Sequence, residues 1–424
     1  MRILMTSFAM DAHFNGSVPL AWALRTAGHE VRVASQPALT ESITRAGLTA
    51  VPVGTDHDLD HVVRQAGPAM YAQHADPDFL EHRPHLLDLR FLRSSNTLLT
   101  ATFYAQLNND TMVDELVDFA RYWRPDLVIW EPFTFAGAIA ARASGAAHAR
   151  LLSFPDTFLG VRQVFRKRLA QAPAEQYEDT LEEWLTWTLD RFDLKFDEEI
   201  VTGQWTVDQM PASVALPLGQ PTIAMRYVPY NGPGAAVVPD WLRAEPTRPR
   251  VCLTLGETVR KTEFPNAVAI DEVFAAVGDL DVELVAMLSA AERAQAGHVP
   301  ENIRIVDHVT LHALLPTCSA IVNHGGAGTW ATAAVYGVPQ VALGWMWDAI
   351  YRARRLEALG AGVHIPSFQL TAAGLREKLV TVLEDPSYRA GAQRLRQEML
   401  ASPSPNDVVP VLERLAAGHR TPPR

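Results

Sequence analysis

The sequence predicts an α/β protein made of two doubly wound, parallel-sheet domains. Three observations carry this. Short apolar runs alternate with helical patterns from Arg2 to Val53 and again from Leu127, the rhythm of parallel strand pairing. A second series of the same style begins at Arg250. Between them, Leu216 to Val238 is rich in Pro and Gly (PYNGPGAAVVP) and reads as a connection. A chain of 424 residues can bury two cores. The expected division is 1–215 for the first domain, 216–240 for the linker and 241–403 for the second domain. Residues 404–424 form a C-terminal helix and tail, placed to pack back on the first domain.

Arg2 to Thr6 reads as a buried strand. Ser17 to Ala27 reads as a helix, with Pro19 in its first turn, where a missing N–H costs little, and Gly28 as its stop. Glu30 to Ser35 is the next strand, Ala38 to Ala46 the next helix, and Thr49 to Val53 the third strand. Asp56 to Ser95 breaks the rhythm. It is polar, with His57, His61, His74, His82 and His85 among acids at spacings that match no ligand pattern, and it reads as a surface excursion. Leu98 to Tyr122 is helical, Leu127 to Trp130 a strand, Phe135 to Ser144 a helix and Ala147 to Leu152 a strand. The alternation lapses again from Gly160 to Met210, where Leu181, Trp184, Leu185, Thr188, Leu189 and Phe192 share a helical face. Strands of the second series fall at Val251–Leu255, Val282–Met287, Ile303–Val306, Ala320–Val322, Gln340–Leu343 and Gly362–Ile365. Helices at 371–384, 386–400 and 407–419 close the chain.

A formal net charge of -11 argues against nucleic acid and anionic membranes as main partners. Thr317 to Trp347 carries no charged side chain, but Gly and Pro339 punctuate it as strand–helix–strand, so it reads as α/β core rather than a membrane span. The opening MRILMTSFAMDAHFNG has too short an apolar part for a signal peptide. Two cysteines, Cys252 and Cys318, make neither a zinc cage nor a disulfide framework, which fits buried reduced thiols in a cytoplasmic protein.

The informative stretch is SAIVNHGGAGTWATA. The apolar Ala320–Val322 meets Asn323, His324, Gly325, Gly326, Ala327, Gly328 and Thr329, and a helical pattern follows. A strand, a glycine turn and a helix N-terminus present unpaired N–H groups and the positive end of a helix dipole, which suits a phosphate. His324 adds a donor that can carry charge. Gly326, Gly328 and Ala331 also fit a degenerate dinucleotide fingerprint, with Asp348 about 20 residues on. Asp348 lies beyond the next strand, however, which weakens that reading. A tight turn without a ligand is the bland alternative.

Ligands of such domains bind at the carboxyl ends of the strands. His13 lies on the loop after the first strand, before Gly16 and Ser17, and is a residue type that titrates near neutrality. A lone loop histidine is more often a surface residue. Glu131, in Trp130–Glu131–Pro132, ends the Leu127 strand at the same edge and can fix the tautomer of His13 as a triad acid does, or simply form a surface ion pair. Asp-x-Asp triplets at Asp56/Asp58, Asp58/Asp60 and Asp279/Asp281 follow no strand convincingly, so no metal site is expected. Phe14, Phe133, Phe135, Phe154 and Phe158 fall in first-half segments near the cleft, where they either stack on a planar ligand or pack in the core.

The turn NHGGAGT, the opening SFAMDAHFNGSVPLAWALRTAGHEVRVA and the run MRYVPYNGPGAAVVPDWL resemble inverting glycosyltransferases of the GT-B architecture, two Rossmann-like domains facing a central cleft. The likeness covers nearly the whole chain. More narrowly, the chain is similar to actinobacterial enzymes that attach dTDP-activated deoxysugars to polyketide aglycones. It looks closest to the anthracycline aminosugar transferases of the aclacinomycin type, then to the macrolide desosaminyl and mycaminosyl transferases. The resemblance implies His13 as the base for the acceptor hydroxyl and Glu131 at the position of an acidic partner. It implies His324, Gly325, Gly326, Gly328 and Thr329 as the diphosphate turn and Thr258 as another phosphate-contacting hydroxyl. Val309 and Leu311 would pack on the nucleobase, and Asp348 would contact the donor sugar. Relatives commonly read HHGG, whereas this chain has Asn323 before His324, which implies a changed local contact. The dTDP-sugar is a co-substrate, with no other cofactor and no metal expected. Some members need a P450-like helper protein, and a homodimer is also conceivable. Rival readings are a nucleotide-sugar 2-epimerase, a non-catalytic nucleotide-sugar-binding partner and a nicotinamide oxidoreductase. The sugar, the aglycone and the accepting hydroxyl are not legible in the sequence.

Overall fold

The computed structural model describes residues 1–62, 87–230, 232, 237–256, 268–344 and 347–419. The first domain holds a seven-stranded sheet, ordered β3-β2-β1-β4-β5-β6-β7. Its strands are β1 Arg2–Thr6, β2 Glu30–Ser35, β3 Thr49–Pro52, β4 Leu127–Trp130, β5 Ala147–Leu152, β6 Trp205–Asp208 and β7 Thr222–Ala224. The second holds a six-stranded sheet, ordered β10-β9-β8-β11-β12-β13. Here the strands are β8 Arg250–Thr254, β9 Glu283–Met287, β10 Ile303–Val306, β11 Ala320–Asn323, β12 Gln340–Ala342 and β13 Gly362–His364. All pairings are parallel. Parallel sheets need cover on both faces, and the side-chain alternation supplies it. Ile3 and Met5 face one layer of the first domain, Leu4 the other.

Two strands escape the sequence reading. β6, WTVD, alternates apolar with polar residues and so lacks the continuous apolar run that marks its neighbours. β7 follows Pro221 inside the stretch read as a connection, and Thr206 N–H bonds the Pro221 carbonyl at 2.8 Å. Proline is tolerated at the start of an edge strand, which is what β7 is. The helix expected over Leu98 to Tyr122 is interrupted. A π-turn at Thr100–Tyr104 and a short turn Ala105–Leu107 end it, and Asn109 starts a new helix, Asp110–Trp123, by accepting from Met112 N–H at 2.9 Å. The lapse at Gly160 to Met210 contains the helices Thr157–Leu169 and Thr180–Asp190.

The chain order reverses between β1 and β4 in one sheet and between β8 and β11 in the other. Each reversal opens a crevice at the carboxyl ends of the strands. The chain passes between the domains after β7 and again after helix Pro386–Ala401. The two crossings touch, since Arg226 N–H bonds the Pro403 carbonyl at 2.7 Å and its guanidinium reaches the Leu400 carbonyl at 3.2 Å. Helix Pro405–His419 then places Val408, Val409, Leu412 and Ala416 in the first domain's core. A mixed cluster of Met210, Val214 and Tyr227 with Trp330, Tyr351 and Leu356 seals the domains against each other. Both cysteines are free, and burial pushes both thiols up, Cys318 to about 12. No described helix is long and apolar enough to cross a membrane.

Leu412 is fully buried. Leu412→Ala is expected to lower stability by about 2–5 kcal/mol, read as an earlier denaturant midpoint for the first domain. Asp208, at the end of β6, accepts from Met210 N–H at 2.8 Å, and burial pushes its carboxyl up to about 7. An unfolded Asp titrates near about 4. Between those values the folded chain holds the extra proton, so this group subtracts stability as pH rises through that window. Asp208→Asn is expected to gain on the parent at pH 8 relative to pH 5, measured as the difference in unfolding midpoints.

Candidate active site

His13 and Glu131 meet because they follow adjacent strands. Thr6 at the end of β1 pairs in register with Trp130 at the end of β4. His13 lies on the short helix Asp11–Phe14, and its Nδ1 stands 2.9 Å from Glu131 Oε1. The carboxylate is buried, and its other oxygen accepts from Phe133 N–H at 2.8 Å and from the Thr134 hydroxyl at 3.2 Å. The Thr134 oxygen in turn accepts from Phe8 N–H at 2.9 Å, which leaves the hydroxyl proton for Glu131. With the Glu131 carboxylate as acceptor, Nδ1 of His13 is the donor of the 2.9 Å hydrogen bond, and Nε2 is the ring nitrogen left for another partner.

Aromatic rings frame the imidazole. Phe8, Phe133 and Phe154 have centroids 4.5, 5.8 and 6.1 Å from it. Phe133 stacks on Phe154 at 5.3 Å and meets Phe158 edge-on at 4.6 Å. Phe133, Phe135 and Phe158 line a large apolar cavity with Phe91, Leu99 and Tyr104. Asn108 holds this wall in place, donating to the Phe133 carbonyl at 2.8 Å and accepting from Ala136 N–H at 2.9 Å. Phe14 is a correction. It is fully buried among Ile3, Met5, Val18 and Leu20 on the other face of the sheet, because the helical turn after Asp11 directs it inward, away from the cavity.

In the second domain, His324 follows β11 beside the end of β8. Its ring lies between two glycines. A Cβ on Gly256 would come within 2.1 Å of its Cε1, and one on Gly326 within 2.4 Å of its Nε2. Gly256 also has φ +78, a left-handed backbone that favours glycine. Helix Ala327–Tyr336 starts at Gly326 with no side-chain cap, and its first intrahelical donor is Trp330 N–H, to the Gly326 carbonyl at 2.9 Å, so the amides of Ala327, Gly328 and Thr329 form an anion-receiving end. Gly325 plays a different part. Its N–H bonds Asn323 Oδ1 at 2.8 Å and its carbonyl accepts from Arg352. Asn323 is itself buried and donates to Gln340 Oε1 at 3.0 Å. Asn323 is thus an internal brace of the turn.

Asp348 pairs with Arg352 one helical turn on, and Arg352 holds Gly325. The acid thus stands next to the turn rather than on the tip of a strand. Val309 is buried with Leu242, Leu314 and Leu315, and half-buried Leu311 packs on the same cluster, after β10. Thr258 lies outside the described residues, as do His74, His82 and His85. His57 Nε2 is 3.1 Å from the Ala9 carbonyl, and no metal-holding group of His, Cys, Asp or Glu occurs among the described residues.

Tyr227, which the sequence reading passed over inside MRYVPYNGPG, links the linker to the phosphate helix. Its buried hydroxyl is 3.3 Å from both the Gly328 carbonyl and Thr332 Oγ1. The Gly328 carbonyl shares a peptide with Thr329 N–H, so a donor on one end strengthens the other. Tyr227→Phe is expected to weaken diphosphate binding at this helix end about 3- to 10-fold, the worth of one hydrogen bond, in calorimetry, while the melting temperature stays near the parent's.

Residues 22–256 match the family model described as erythromycin biosynthesis protein CIII-like, N-terminal domain, and residues 271–415 match its C-terminal counterpart. The chain is 62% identical over 428 residues to the aklavinone 7-beta-L-rhodosaminyltransferase of Streptomyces galilaeus, covering 99% of this chain and 97% of that one. It is 58% identical to the TDP-daunosamine transferase DnrS of Streptomyces peucetius, covering 100% of this chain and 98% of that one. Its fold matches the crystal structure of the glycosyltransferase VinC in complex with dTDP, with a TM-score of 0.87 and 41% identity over 99% of this chain and 100% of that one. The resemblance drawn from the three motifs is borne out: the chain belongs to the erythromycin biosynthesis protein CIII-like family and is a glycosyltransferase of the GT-B fold.

Proposed function

We propose that this enzyme moves a deoxy- or aminodeoxysugar from a dTDP-sugar to a hydroxyl of an aromatic polyketide aglycone of the anthracycline type, with inversion. The observation that carries the reading is the buried Glu131 on His13 Nδ1 at 2.9 Å, beside a wall of phenylalanines. His13 Nε2 takes the acceptor proton as the acceptor oxygen bonds to the anomeric carbon. The bond from that carbon to the diphosphate oxygen breaks on the opposite face. The leaving diphosphate gains charge where the amides of Ala327, Gly328 and Thr329 and the helix dipole await it. In this reading the helix terminus does the work that a divalent ion does in other transferases. Asp348 is assigned to the sugar hydroxyls, Thr258 to a phosphate and Val309 with Leu311 to the base. Phe133, Phe135, Phe154 and Phe158 belong to the acceptor side.

The aclacinomycin-type relative supports a rhodosamine-like sugar and an aklavinone-like acceptor as the first pair to test. A P450-like helper and a homodimer belong to the same proposal. Trp187, 66% exposed on helix Thr180–Asp190, and Tyr177, 55% exposed, offer apolar surface that such a partner would cover. A cytoplasmic location completes the proposal.

The test is mass-spectrometric turnover with a panel of dTDP-deoxysugars and polyketide aglycones, with and without a candidate helper. His13→Ala is expected to lower kcat by about 10²- to 10⁴-fold, and Glu131→Gln by a similar order, since the amide no longer selects the tautomer. Full activity in His13→Ala, or release of free dTDP without any need for an aglycone, would overturn the proposal.

A further inference from the structure

Trp347 opens helix Trp347–Ala358 in the second domain, yet its ring lies among rings of the first. Its centroid is 5.9 Å from Phe103 and 5.9 Å from Phe158. Both of those meet Phe133, at 5.3 and 4.6 Å, and Phe133 faces the imidazole of His13. The backbone of Trp347 has φ +48. That left-handed region is unfavourable for a bulky side chain. Arg124 also has positive φ, but at a helix C-cap, where it is usual. Trp347 instead stands at a helix start. Such strain persists where the surroundings over-determine the conformation, and it clusters at ligand sites. Here the ring contacts at Phe103 and Phe158 belong to the opposite domain.

The rest of the same helix points to the same cavity. Ile350, Tyr351 and Arg354 line it beside Trp347, together with Phe133 and Phe158. At the other edge of the helix, Asp348 and Arg352 brace Gly325 of the diphosphate turn. One helix therefore serves both half-sites.

We infer that Trp347 is an acceptor-contacting residue supplied by the nucleotide-sugar domain. Its indole is a wall against which a planar, fused aromatic acceptor lies, and the acceptor site is complete only when the two domains are together. This rests on the transfer reaction proposed above. A flat indole and edge-on phenylalanines favour a planar ring system through offset stacking, and they offer less to a puckered macrolactone.

The test is steady-state kinetics of full-length Trp347→Ala, Trp347→Phe and Trp347→Gly with a fixed dTDP-sugar and two acceptors, an anthracyclinone and a macrolactone. The glycine variant removes the ring and also relieves the positive φ, so it is expected to fold at least as well as the alanine variant. The expected result is an acceptor KM at least 10-fold higher for the anthracyclinone in the Ala and Gly variants, partial recovery in Phe, and dTDP affinity by calorimetry within about 2-fold of the parent. Preference for the anthracyclinone over the macrolactone should fall in parallel. An unchanged anthracyclinone KM in folded Ala or Gly variants would overturn the inference, as would an equal loss of dTDP affinity. A parent enzyme that turns over neither acceptor would instead overturn the transfer proposal itself.

Discussion

The site depends on one buried carboxylate. Glu131 is removed from water and surrounded by donors from Phe133, Thr134 and His13. A buried carboxylate is tolerated only when its lone pairs are satisfied, so the loop Glu131–Thr134 must take one shape. That shape fixes the proton on one imidazole nitrogen and turns Phe133 toward the cavity. The dyad arises from topology, because β1 and β4 are neighbours at the point where strand order reverses. Sequence separation is large, |i−j| = 118, but the register of two strands makes the residues adjacent.

The second half-site is built by subtraction. Gly256 and Gly326 leave room for the imidazole of His324, and Gly326 leaves a helix end uncapped. Asn323 and Arg352 take up the polar groups of Gly325, so the turn keeps its form without using the amides of the helix's first turn. The half-sites are joined through side chains, from His13 through Phe133 and Phe158 to Trp347, and then along the helix to Arg352.

Much of this is legible in the sequence. The glycine turn and the loop histidine carry chemistry in their residue types, and the β/α rhythm sets where both must lie. The strands β6 and β7 are hidden, one by the polar Thr206 and Asp208 that break its apolar run and the other by its proline and glycine neighbourhood. Phe14 stays ambiguous because a phenylalanine beside the His13 loop looks the same in sequence whether it faces a ligand or a core. One residue decides that difference along a short helix, and periodicity over four residues is too brief to read. Tyr227 and Trp347 had no pattern of their own. Their parts follow from contacts between domains and, for Trp347, from a backbone angle, neither of which a single chain of letters displays.

The contact between Arg226 and Pro403 ties the two interdomain passages into a single double-stranded joint. Neither passage can shift without carrying the other, so any change in the angle between the domains is taken up by both strands of that joint at once.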